Sequence, residues 1–98
     1  MEKVLTLLGF AKKARKLVAG ANAVQRSILF GKSSLVIVTN DAGDSIKNKM
    51  SRLCEENEVI YIVFGNSSDL SKATGEENKV VFSVEDLGFA KSIIQKIS

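Results

Sequence analysis

Val4, Leu7, Leu8, Ala11, Ala14 and Val18 recur at intervals of three and four residues. This spacing predicts an amphipathic helix at the N-terminus, with Lys12, Lys13, Arg15 and Lys16 mostly off its apolar stripe. Residues 16–19 read as a short extended piece leading to Gly20. Asn22 then suits the N-cap of a second helix that turns Val24, Ile28 and Leu29 inward, and Gly31 suits its left-handed end. The uninterrupted runs Leu35-Val36-Ile37-Val38-Thr39 and Val59-Ile60-Tyr61-Ile62-Val63-Phe64 are predicted strands buried on both faces, and residues 80–84 a third strand. Between the first two, Ile46, Met50, Leu53 and Cys54 mark the inner face of a third helix. A short helix over residues 69–73 is closed by Gly75, and Asp86 can cap a last helix striped by Ala90, Ile93, Ile94 and Ile97.

Helices that alternate with buried strands predict an α/β fold with helices on both faces of one sheet. With 98 residues and 45% apolar content, residues 1–98 read as a single domain with a real core. No apolar run approaches the roughly 20 residues needed to span a bilayer, so no membrane partner is expected. The basic N-terminus lacks the features of a secretory signal, and one cysteine allows no internal disulfide. These features point to the cytoplasm.

The absence of histidine removes Ser-His-Asp and Cys-His catalysis, and one cysteine cannot build a Cys/His zinc site. Gly31-Lys32-Ser33 resembles the end of a phosphate loop. Arg26, however, stands where the pattern needs glycine, and the tripeptide follows a helix rather than a strand. Asp41 and Asp44 lie past a strand end, but two carboxylates are a weak basis for Mg²⁺, and Asp44 is read as a helix cap. Cys54 is read as a buried apolar residue, Tyr61 and Phe64 as core, and Glu76 and Glu77 as solvated. No catalytic residue, metal, cofactor or small-molecule substrate is expected.

Charge changes the picture. The net charge is +3, yet residues 1–32 carry seven Lys and Arg against one acidic side chain, and residues 33–98 carry seven against ten. Either a basic face for a polyanion or a solvated lysine-rich helix face accounts for this. Gly20-Ala21-Asn22-Ala23-Val24-Gln25-Arg26 adds a glycine before a helix start, an amide and, one turn on, a guanidinium. That combination suits base-edge and phosphate recognition, and equally an ordinary cap with a surface arginine.

At this motif the chain resembles the kink-turn-binding ribosomal protein superfamily, and within it the small bacterial YlxQ-type members. The resemblance rests on Leu8 through Gly20, Ala21-Asn22, Lys32 before the first strand, Asp41-Ala42, Leu53-Cys54-Glu55-Glu56, Val59-Ile60-Tyr61, Asp69-Leu70, Ala73-Thr74-Gly75 and Asp86 through Ala90. It implies a three-layer α/β/α sandwich with a mixed sheet of about four strands. It also implies that RNA is gripped by the second helix's N-terminus and the loop after the fourth helix. On that basis the RNA-binding residues are Gly20, Ala21, Asn22, Ala23, Gln25, Arg26, Lys32, Asn78, Lys79 and Val80, with Lys12, Lys13, Arg15 and Lys16 as further phosphate contacts.

The family motif is glycine, any residue, asparagine, glutamate, two variable residues and lysine. Gly20 and Asn22 match it. Arg26 replaces the lysine, and Ala23 replaces a glutamate that in the family helps recognise a guanine of sheared G·A pairs. The resemblance thus implies non-catalytic binding of structured RNA, kink-turn or related, in a ribosome-associated or regulatory role. The competing reading is a protein-interaction scaffold of the same fold with little RNA affinity. The sequence leaves the oligomeric state open.

Overall fold

The computed structural model describes residues 1–97. Nine elements follow in order: α1 (Glu2–Lys13), β1 (Leu17–Ala19), α2 (Ala21–Leu29), β2 (Leu35–Val38), α3 (Asp44–Glu56), β3 (Ile60–Val63), α4 (Ser67–Thr74), β4 (Val81–Val84) and α5 (Leu87–Ile97). The strands form one mixed sheet in the order β1-β4-β2-β3. β4 is antiparallel to both β1 and β2, while β2 and β3 are parallel and joined through α3.

The side-chain alternation of the two central strands divides the core. Leu35, Ile37, Phe82 and Val84 pack with Val4, Leu8, Leu70, Ala90 and Ile93 beneath α1, α4 and α5. Val36, Val38 and Val81 pack with Val24, Ile28, Met50 and Cys54 beneath α2 and α3. Helices therefore cover both faces, and the molecule is the expected α/β/α sandwich.

Several sequence expectations are corrected. Leu29, expected to turn inward, is 55% exposed, and Ala14, expected on the α1 stripe, lies just past that helix and is exposed. β3 is an edge strand paired only with β2, and it exposes Ile60 (52%) and Val63 (44%), so it is not buried on both faces. A β-branched run forms a strand with one neighbour as readily as with two. The N-cap of α2 is Gly20 rather than Asn22, because the turn out of β1 takes φ +97°, a conformation that glycine adopts without Cβ strain. Asp44 likewise lies inside the first turn of α3, whose cap is Gly43 with no side-chain bond.

Other ends match. Gly31 and Gly75 close α2 and α4 with positive φ, and the Asp86 carboxylate accepts the Phe89 N–H at 2.8 Å. α4 starts two residues earlier than expected. The Asn66 side chain accepts the Asp69 N–H at 2.8 Å, and its amide reaches back to the Asp69 carboxylate at 3.2 Å. Among the described residues, no helix is long and apolar enough to cross a membrane.

Candidate nucleic-acid interface

One end of the sheet gathers the ends of several strands. β1 finishes there, and the Gly20 N–H donates to the Val81 carbonyl at 2.9 Å. β2 finishes beside it, with the Thr39 N–H donating to the Val80 carbonyl at 2.9 Å, and the Asn40 N–H reaches the Gly65 carbonyl after β3 at 2.7 Å. The carboxyl ends of parallel strands in open sheets are where ligand crevices form.

α2 begins at this end. The Gly20 carbonyl accepts the Val24 N–H at 2.9 Å as the helix's first bond, and no side chain caps the first turn. The Ala21, Asn22 and Ala23 amides therefore have no intrahelical acceptor, and the positive end of the helix dipole stands at the surface. Asn22 is exposed, Ala23 and Gln25 are half-buried, and Arg26 is exposed one turn after Asn22 on the same flank.

Lys79 comes to this point from the other side of the sequence. A Cβ built on Gly20 would lie 3.4 Å from Lys79 Nζ and 3.6 Å from its Cδ. The lysine thus passes over bare glycine backbone and adds its charge to the uncapped helix end. Asn78 turns the loop with φ +57°, and half-buried Val80 anchors the loop in the core under α2 and α3. No local pattern places Lys79 over Gly20, because the two are brought together by the β1–β4 pairing; only the family resemblance puts them in one site.

The acidic pair of this loop is partly accounted for. Glu76 is half-buried and forms an ion pair with Lys12 on α1, so its carboxylate is held toward the α1 layer and away from α2. Glu76 is thus not simply solvated, although its loop position after Gly75 predicts it. Glu77 is exposed. Lys12 consequently has a protein partner.

The expected basic residues are divided between the two ends of the sheet. The Lys16 carbonyl accepts the Glu85 N–H at 2.7 Å, and Ser34, two residues after Lys32, donates to Val84 at 2.8 Å. Lys16 and Lys32 therefore stand where β4 leaves the sheet, and Gly20 and Lys79 where it enters. A four-residue strand separates the two ends by about 13 Å. α2 runs between them and carries Arg26. Lys13 lies at the end of α1 beside α4, and Arg15 follows with φ +60°.

A polar chain beneath α2 fixes that helix on the sheet. Ser27 Oγ lies 2.6 Å from Glu85 Oε2 and 2.9 Å from Ser83 Oγ, which is 2.7 Å from Ser33 Oγ. Each hydroxyl has one proton, and the ionised carboxylate can only accept. Ser27 therefore donates to Glu85, and Ser83 donates to Ser33. Ser27 follows Val24 by three residues on the inward stripe, a position from which a polar contact with the sheet was legible.

The remaining chemical candidates take structural roles. The Asp41 carboxylate accepts from Ser67 Oγ at 2.7 Å and from the Ser67 N–H at 3.1 Å, which tethers the start of α4 and holds its pKa below the ordinary carboxylate value. Burial pushes the Cys54 thiol up to about 11, so it is an inert core residue. Among the described residues, no cluster of three or more acidic, Cys or His side chains could hold a metal ion.

Comparison with known proteins places this geometry. The model of the ribosomal protein L7Ae/L30e/S12e/Gadd45 family matches residues 2–94. The RNA-binding protein YlxQ of Bacillus subtilis is 35% identical over 88 residues, covering 90% of this chain and 88% of that protein. A solved structure of a protein of unknown function from Bacillus halodurans is 35% identical, superposes with a TM-score of 0.94, and covers 99% of this chain and 98% of that one. The Giardia lamblia 15.5kD RNA binding protein superposes with a TM-score of 0.83 at 26% identity over 98% of this chain and 85% of its own. The chain belongs to the ribosomal protein L7Ae/L30e/S12e/Gadd45 family.

Proposed function

We propose that this protein binds structured RNA, of kink-turn or closely related shape, through the N-terminus of α2 and the α4–β4 loop, in a ribosome-associated or regulatory role in the cytoplasm. The apposition of Gly20 and Lys79 carries this reading. It sets a cation over a bare helix N-terminus, and each of the two binds phosphate oxygens. Asn22 supplies an amide for a base edge, and Arg26 supplies a fork for phosphate or guanine. The names of the Bacillus subtilis and Giardia lamblia relatives, both RNA-binding proteins, support the same class of partner.

The test is titration of a kink-turn RNA and a plain duplex at several salt concentrations, with the wild type and with Asn22→Ala and Arg26→Ala. Tighter binding of the kink-turn is expected, with a log–log salt slope of about 0.7–0.9 per phosphate contact. Asn22→Ala should cost about 1–3 kcal/mol of binding. Folded variants that bind as the wild type does would exclude this helix end as an RNA site. The scaffold reading would then hold, and the exposed Phe30, Ile60 and Val63 side chains would be its natural contact points.

A further inference from the structure

α1 and α4 lie side by side and leave between them an open groove of about 790 Å³. Gly9 faces Ala73, and Lys12 meets Glu76 one turn further on, so the two helices run in the same direction along it. This orientation gives the groove two unlike ends. Glu2 and Asp69 line it near the helix N-termini, and Lys12 and Lys13 near the C-terminus of α1. At the Gly75 end Lys12 is paired with Glu76 and exposed Glu77 follows in the loop, so Lys13 and Lys72 are the cations left to meet a phosphate there.

Within the groove, Phe10 leaves 52% of its surface in water, although it lies on a helix whose other long apolar side chains are largely covered. Lys13 follows it at i+3 on the same flank, and exposed Lys72 lines the α4 side. An exposed ring between flexible cations, continuous with a phosphate-binding loop, is the combination by which proteins hold unpaired nucleotides. The ring stacks a base while the lysines take the backbone.

We propose that this groove is a second RNA subsite, which receives a short single-stranded segment leaving the structured RNA, stacks one base on Phe10 and places its phosphates near Lys13 and Lys72. Glu2 and Asp69 repel phosphate at the far end, so the segment enters from the Gly75 end and stops short of them. The proposal rests on the RNA-binding reading above.

The experiment compares a blunt kink-turn RNA with the same RNA carrying a short single-stranded extension on either strand, with 2-aminopurine in the extension as a stacking reporter. One of the extensions should tighten binding about five- to hundredfold, the range of one base–aromatic stack, and its 2-aminopurine fluorescence should be quenched. Phe10→Ala should erase both effects and leave the blunt affinity unchanged, which also shows that the variant is folded. Lys72→Ala should reduce the salt slope for the extended RNA alone, by about 0.7. Blunt RNA bound normally, with no gain and no quenching from either extension, overturns the groove and leaves it to a protein partner. If blunt RNA is not bound at all, the RNA-binding reading falls and the groove proposal falls with it.

Discussion

Gly9 on α1 faces the backbone of Ala73 on α4 so closely that a Cβ added to Gly9 would lie 2.9 Å from the Ala73 carbonyl oxygen. The two helices touch through bare backbone, and this contact brings Lys12 within reach of Glu76 and so sets where the α4–β4 loop begins.

Gly9→Ala is therefore expected to destabilise the protein, although alanine is the better helix former by about 1 kcal/mol. The opposing carbonyl belongs to helix backbone and cannot rotate aside, so the helices must separate, and overpacking of this kind costs about 1–3 kcal/mol. Chemical denaturation measures the net loss. An unchanged or raised midpoint would show that α1 can shift without cost.

The serine chain beneath α2 makes a second expectation. Ser83→Ala removes the link between buried Ser27 and half-buried Ser33. It should cost about 1–3 kcal/mol, because the buried Ser27 hydroxyl and the half-buried Ser33 hydroxyl each lose a partner. The same change should loosen α2 on the sheet and weaken RNA binding through Asn22 and Arg26. Protein as stable as the wild type to urea would mean that water replaces the missing hydroxyl.

Much of this fold is legible in the amino-acid order, for physical reasons that also explain the misses. The periodic stripes of α1, α3 and α5 and the β2 and β4 runs report burial on a known face, and those faces are buried except at the helix ends, where Ala14 and Ile97 are exposed. The β3 run reports only that β-branched residues favour extended backbone, so its place at the sheet edge is invisible until pairing is known. Asn22 looks like a cap because it precedes an apolar stripe, but the positive φ that the β1–α2 turn requires gives that place to Gly20. The start of α4 could have been read from Asn66 and Asp69, three residues apart. At the candidate site, Gly20, Asn22 and Arg26 are legible because they share one helix end. Lys79 over Gly20, and Lys12 on Glu76, depend on tertiary pairing and leave no local trace.

Asp41 provides a pH expectation. Its folded pKa is depressed, chiefly by the Ser67 hydroxyl. The group is therefore more acidic folded than unfolded, where a carboxyl of this kind titrates near about 3.9. Its contribution is fully present above that value and is lost as pH falls through the lower folded pKa. Asp41→Asn should lower the urea midpoint modestly at pH 7. The difference from the wild type should shrink below about pH 4 and vanish once both forms are uncharged. A difference independent of pH would mean that the carboxylate's charge contributes nothing at the start of α4.

Ala23→Glu tests the position at which the family resemblance implies a glutamate. Ala23 is the third residue of α2, half-buried, one position after Asn22. A glutamate there sits in the first helical turn, where the chain has no acidic residue, and a negative charge near the dipole's positive end contributes about 0.3–1 kcal/mol. Stability should therefore rise slightly. Binding responds to two opposed effects. The added charge repels phosphate and weakens binding to every RNA, whatever its shape. A carboxylate also accepts hydrogen bonds from a guanine edge, which only an RNA presenting that edge beside Asn22 can use. A plain duplex should thus be bound more weakly than by the wild type, and a kink-turn with intact G·A pairs more tightly, so the ratio of the two affinities is the quantity to measure. A rise in that ratio with equal or greater thermal stability assigns α2's N-terminus to guanine recognition. Equal weakening for both RNAs would show that Ala23 does not face a base, and would restrict this end of α2 to phosphate contact through Arg26, Lys79 and the backbone amides.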